Sequence, residues 1–207
     1  MLKKNERQLM AGLNTPVKIQ AFLDQLSYSL EEAYRCPLRV LRERTAHCFD
    51  GAIFAAGALW RLGHPPLILE LLPNDRDDDH LLALYQRYGH WGALAQSNFA
   101  SLRFREPVYR TLRELIMSYF EQFYNVDREK TLRGYTRPLN LQTMGNIRWM
   151  VDDRLLEEIS ERLDKIRRYS LINEKIAGEL SPVDERSYQA GLLGANKKGL
   201  YRPPRKV

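Results

Sequence analysis

Cysteine is nearly absent from this 207-residue chain, where Cys36 and Cys48 are the only two. Two thiols make no disulfide framework, and such sparing use fits a reducing compartment. Long apolar runs are missing as well. No stretch approaches the roughly 20 consecutive apolar residues that a bilayer-spanning helix needs. The opening Met1-Leu2-Lys3-Lys4-Asn5-Glu6-Arg7 runs into polar residues rather than the apolar segment of a secretory signal. A cytoplasmic chain with no membrane contact is therefore expected. A Gly-rich phosphate loop is also lacking, since Gly51, Gly57 and Gly63 fall six apart within one helical pattern. Metal patterns fail in turn. Asp75-x-Asp77-x-Asp79 opens like a calcium loop, but its sixth position is His80 where the bend needs glycine. Its twelfth is Gln86 where a bidentate Glu belongs. Cys48 and His80 lack the paired ligand spacing of a zinc site. Neither metal nor cofactor is expected.

What is present suits a globular domain: 44% hydrophobic and 28% charged residues, on a chain long enough to bury a core. The net charge of +6 suggests nucleic acid only until it is located. Lys197, Lys198, Arg202, Arg205 and Lys206 supply five of those charges within the last 11 residues, beside Gly199, Pro203 and Pro204. That composition reads as a disordered basic tail over residues 191–207. The body is close to neutral, and nucleic acid is not expected as a partner.

Periodicity divides the rest. Asn14-Thr15-Pro16 signals a helix start, with Ile19, Phe22, Leu23 and Leu26 beyond it at helical spacing. Short helices are expected over 31–35 and 37–44. Thr45 is a candidate cap for a helix whose face carries Cys48, Ala52, Ala55, Ala56, Leu59 and Leu62, with Gly63 as its C′ residue. Its small residues make that helix thin. Leu67–Leu72 reads as a buried strand, and 74–79 as an acidic loop. His80–Gln86 and Trp91–Gln96 form an antiparallel hairpin about Tyr88-Gly89-His90. A long helix is expected from Glu106-Pro107 through Tyr124, a polar turn-rich stretch over 132–146, and a charged helix over 152–169. Helices flanking a small antiparallel sheet make the fold class α+β. Three parts are expected: a cysteine-bearing domain over 1–130, a helical C-terminal extension over 131–190 packed on it, and the tail.

The chemistry centres on Cys48. A helix N-terminus offers unpaired N–H groups and partial positive charge, both favouring thiolate, the nucleophilic form. A cysteine nucleophile needs a base, and the base an orienting group. His80, entering its strand, is the candidate base. A two-residue turn at Tyr88-Gly89 sets Arg87 against His90 and brings His80 opposite Ser97, while a three-residue loop moves its partner to Asn98. Asn98 is preferred, since a side-chain carbonyl accepts well from a ring N–H, with Ser97 the alternate. His47, though adjacent to Cys48, is expected to point about 100° away as a cap or packing residue.

Cys48 at a helix start, Gly63 fifteen residues on with Pro65 beyond, His80 on a strand and Trp91 in the next strand together resemble the transglutaminase-like superfamily. The likeness spans roughly residues 15–105. It implies a papain-like Cys–His–Asp arrangement in which a cysteine-bearing helix packs on a small antiparallel sheet, here with extra C-terminal helices. Cys48 matches the nucleophile and His80 the base. Where the family places its Asp, this chain has Ala95 and Gln96, with Ser97 and Asn98 next in line. The implied activity is acyl transfer on a peptide or amide, by a peptidase, amidase or transamidase. The other reading keeps the scaffold without catalysis, as a module that binds a protein through the 152–169 helix and the basic tail.

Overall fold

The computed structural model describes residues 2–31 and 33–203. Its helices are α1 (Lys4–Gly12), α2 (Pro16–Leu23), α3 (Pro37–Glu43), α4 (Cys48–Arg61), α5 (Leu112–Met117), α6 (Leu155–Lys165), α7 (Glu174–Gly178) and α8 (Glu185–Gly191). Its strands are β1 (Ser27–Tyr28), β2 (Thr45–Ala46), β3 (Leu67–Pro73), β4 (His80–Arg87), β5 (His90–Leu94), β6 (Arg105–Tyr109), β7 (Leu132–Thr136), β8 (Leu139–Asn140) and β9 (Arg168–Ser170). Seven strands form one antiparallel sheet in the order β6-β5-β4-β3-β7-β9, with β8 also on β3. The fold is α+β.

Residue alternation decides which face each element covers. Ile68, Leu81, Ala83, Tyr85 and Leu94 turn to the layer that holds α2, α3, α4 and α6. Leu69, Leu71, Leu82, Leu84 and Ala93 turn to the opposite layer, against Leu115, Ile116 and Tyr119. Both faces of β3 and β4 are covered, which is why their apolar runs are continuous rather than alternating. Each fully buried Leu or Ile contributes about 1.5–3 kcal/mol of transfer free energy.

Helix α4 runs through the centre of the first layer, with Ala52, Ala55, Ala56 and Leu59 essentially without solvent exposure. Its thinness is used. A Cβ on Gly51 would stand 2.3 Å from Gln96 Cβ, so only glycine lets the end of the hairpin approach the helix. The helix closes at Gly63, whose φ of +89° is the left-handed conformation expected of a C′ glycine. Thr15 caps α2, its Oγ1 accepting from the Lys18 N–H at 3.3 Å.

Tertiary context displaced four expectations. The helix expected over 31–35 does not form at the described positions, because the Arg35 N–H is claimed by the Asp50 carboxylate at 2.9 Å. The stretch after Glu106 is strand β6 on the sheet edge, where Pro107 sacrifices no needed ladder bond. Helix α5 begins only at Leu112, capped by Thr111, whose Oγ1 accepts from the Glu114 N–H. The polar 132–146 stretch contains β7 and β8, and β9 comes after α6, so the C-terminal extension adds strands to the central sheet as well as helices. The stretch expected as a loose tail carries a 3₁₀ turn at Lys197–Gly199 and binds Asn98 through Asn196. Pro204, Arg205 and Lys206 lie outside the described residues. Among the described residues no helix is long and apolar enough to cross a membrane.

Candidate active site

The start of α4 is fixed by Asp50. Its carboxylate accepts from the His47 backbone N–H at 3.1 Å and from the Arg35 N–H at 2.9 Å. The buried Arg35 guanidinium stands beside it, 3.8 Å away, and also engages Glu31 and Glu43. His47 rather than Thr45 is thus the N-cap residue, while Thr45 and Ala46 pair in parallel with Ser27 and Tyr28. A third-position acid reaching back to the cap is a capping-box signal, legible in His47-x-x-Asp50.

Cys48 and His80 line one small cavity of about 60 Å³. Both are buried, at 3% and 4% exposure. The thiol lies 3.2 Å from His47 Nδ1 and 3.9 Å from the Asp79 carbonyl oxygen, so the mouth of β4 lies against the sulfur. His47 is therefore not turned away from Cys48: its backbone is non-helical at the cap, and helical spacing does not govern its side chain.

The hairpin register is the two-residue one, with Arg87 opposite His90 and Ala83 opposite Leu94 about a Tyr88-Gly89 turn of positive φ. The ladder stops at Leu94, however, and His80 pairs across to Leu71 of β3 instead. Neither Ser97 nor Asn98 orients the imidazole. His80 Nε2 donates to the Leu102 carbonyl at 2.8 Å. Ser97 Oγ accepts from the Phe99 N–H at 3.1 Å. Asn98 binds both backbone groups of Asn196. The orienter is a main-chain carbonyl, which no residue-type signal in the sequence marks. Ser97 and Asn98 nonetheless line the cavity with Cys48 and His80.

A carbonyl only accepts, so the proton of the neutral His80 ring sits on Nε2, and Nδ1 keeps its lone pair. Burial holds the ring neutral, lowering its pKa to about 4. Cys48 is moved the opposite way from the helix-terminus expectation. Burial, then the charges of Asp79 and Asp78, push the thiol well above its ordinary range. Thiol and imidazole are both uncharged at neutral pH.

A second cavity of about 580 Å³ is lined by Cys48 and His47. It is acidic, lined by Glu31, Asp78, Asp79 and Asp164 among others. Burial, with the neighbouring Glu70 carboxylate, raises Asp79 to about 8. Among the described residues, no group of three or more His, Cys, Asp and Glu side chains is arranged to hold a metal ion.

No family model and no curated protein matches this chain. Among solved structures it is similar to Legionella pneumophila LapG, with a TM-score of 0.43 and 12% identity over 76% of this chain and 91% of that one. It is also similar to EGTA-treated Legionella pneumophila LapG, with a TM-score of 0.42 and 12% identity over 79% and 91%. Likeness at that level is distant, and the chemistry of the site rests on its own geometry.

Proposed function

We propose that this chain is a cysteine-dependent acyl-transfer enzyme of transglutaminase-like type, acting on a peptide or amide, with Cys48 as nucleophile and His80 as base. The supporting observation is the shared cavity of Cys48 and His80, together with the Leu102 carbonyl that leaves His80 Nδ1 as the unprotonated nitrogen. In the first step the Cys48 proton passes to His80 as the sulfur adds to the amide carbonyl carbon. The Cys48 backbone N–H, at the first turn and without an intrahelical acceptor, stabilises the oxyanion. The C–N bond then breaks, and the departing amine takes the proton from the imidazolium. Water or an acceptor amine releases the acyl group from the thioester. His47, in contact with the sulfur, is a positioning residue.

A peptide acyloxymethyl ketone tests this. It should alkylate Cys48, as read by mass spectrometry of the digested protein, and His80→Ala should slow that reaction at least about 100-fold. No adduct at Cys48 removes the reading.

A non-catalytic binding module is the second reading, favoured by the uncharged, buried state of the thiol. Cys48→Ala separates the two: a module retains its ligand affinity, and an enzyme loses turnover while keeping its fold.

A further inference from the structure

The segment between α8 and Arg202 crosses both cavities beside Cys48. Lys198, Gly199, Leu200 and Tyr201 line the larger one, and the last three also line the one shared by Cys48 and His80. It is attached by a specific device. Asn98, only 6% exposed, accepts from the Asn196 N–H at 2.7 Å and donates to the Asn196 carbonyl at 2.9 Å. A side-chain amide pairing with both backbone groups of one residue acts as a strand neighbour would, reading main chain and ignoring side chain. Three residues on, a Cβ at Gly199 would come within 2.9 Å of both Leu30 Cδ2 and Tyr28 Cδ1, so any larger residue there must push these side chains aside. Glu31, Asp78, Asp79 and Asp164 line the same cavity as Lys198.

We propose that this groove is a binding site for an extended basic peptide, and that residues 196–201 occupy it in cis. Asn98 holds the peptide backbone, the carboxylates lining the larger cavity favour a basic peptide, and the close approach of Tyr28 and Leu30 favours a small residue at 199. The inference names the substrate class of the proposed enzyme, and rests on that reading only for the chemical steps after binding. Tethering gives the internal segment a high effective concentration, so a peptide supplied in trans meets a mostly filled site.

The test measures fluorescence anisotropy of a labelled peptide with the sequence of residues 195–202, added to the full-length protein. Gly199→Leu should expel the internal segment and tighten peptide binding by about tenfold or more. Asn98→Leu added to that variant should abolish the gain. A second variant, Lys197→Glu with Lys198→Glu, alters two exposed side chains, carries little folding risk, and should also tighten binding. An unchanged affinity in both variants overturns the proposal, as does equal binding of a peptide with Glu in place of Lys. None of these readouts requires turnover. Peptide binding without alkylation of Cys48 therefore sinks the enzymatic reading alone, and alkylation without peptide binding sinks this one alone.

Discussion

His80 Nε2 lies 2.8 Å from the carbonyl oxygen of Leu102, a residue in the 3₁₀ turn Ala100–Leu102 beyond the hairpin. That contact fixes the tautomer of a buried imidazole. Burial in turn ties the ring to a neutral state that acid must overcome before the protein can protonate it.

Stability should therefore fall in acid. The folded pKa of His80 is lowered to about 4, against an ordinary value near 6.5. Protonation favours the unfolded chain, and the contribution of His80 is full above pH 6.5 and lost as pH falls toward 4. Between pH 7.5 and 5 the loss is about 2 kcal/mol. Asp79 works in the opposite direction, because its raised pKa means stability lost as pH rises toward 8. The measurement is thus a difference: denaturant unfolding of wild type and His80→Gln at both pH values. The wild type should show the extra acid sensitivity, and parallel pH slopes would contradict it.

Thiol reactivity should be low in the resting protein. With Cys48 buried and its pKa raised, iodoacetamide at pH 7 should modify it at least about tenfold more slowly than free cysteine. The rate should climb as pH passes 9. Labelling as fast as free cysteine would mean the site is open and the thiol ionised.

Asp50 should matter more for folding than its position beside a nucleophile suggests. Asp50→Ala strips the acceptor from two backbone N–H groups and a carboxylate from the buried Arg35. A loss of about 3 kcal/mol is expected, seen as a lower midpoint in urea, with Asp50→Asn costing less. A change under about 0.5 kcal/mol for the alanine variant would show the network to be dispensable.

Gly51→Ala should destabilise by about 1–3 kcal/mol although alanine is the better helix former. The added methyl meets the Cβ of Gln96, not the end of a flexible chain. Gln96→Ala should therefore fail to rescue it, while Gln96→Gly should restore part of the loss. Rescue by alanine at Gln96 would place the clash elsewhere.

Local patterns carried much of the architecture. The thin helix Cys48–Arg61, its glycine stop, strand Leu67–Pro73 and the hairpin register all arise from periodicity and turn chemistry, which act over a few residues. Edge strand Arg105–Tyr109 and strands β7 and β9 were not legible there. Their half-buried, polar sequences become strands only because a neighbouring strand supplies the ladder.

The candidate site divides along the same line. The sequence by itself put Cys48 at a helix start and His80 at a strand entry, because those are local facts, and the fold sets both on one small cavity. Tertiary structure decided what surrounds them. The Leu102 carbonyl took the orienting place held open for Asn98 or Ser97, since the strand ended at Leu94, too soon for the ladder to reach them. Burial and nearby carboxylates outweighed the helix terminus in setting the thiol's charge, because desolvation depends on every atom packed around a group. Asn98 met Asn196, a partner 98 residues away, through main-chain groups that every residue shares and that no sequence pattern can single out.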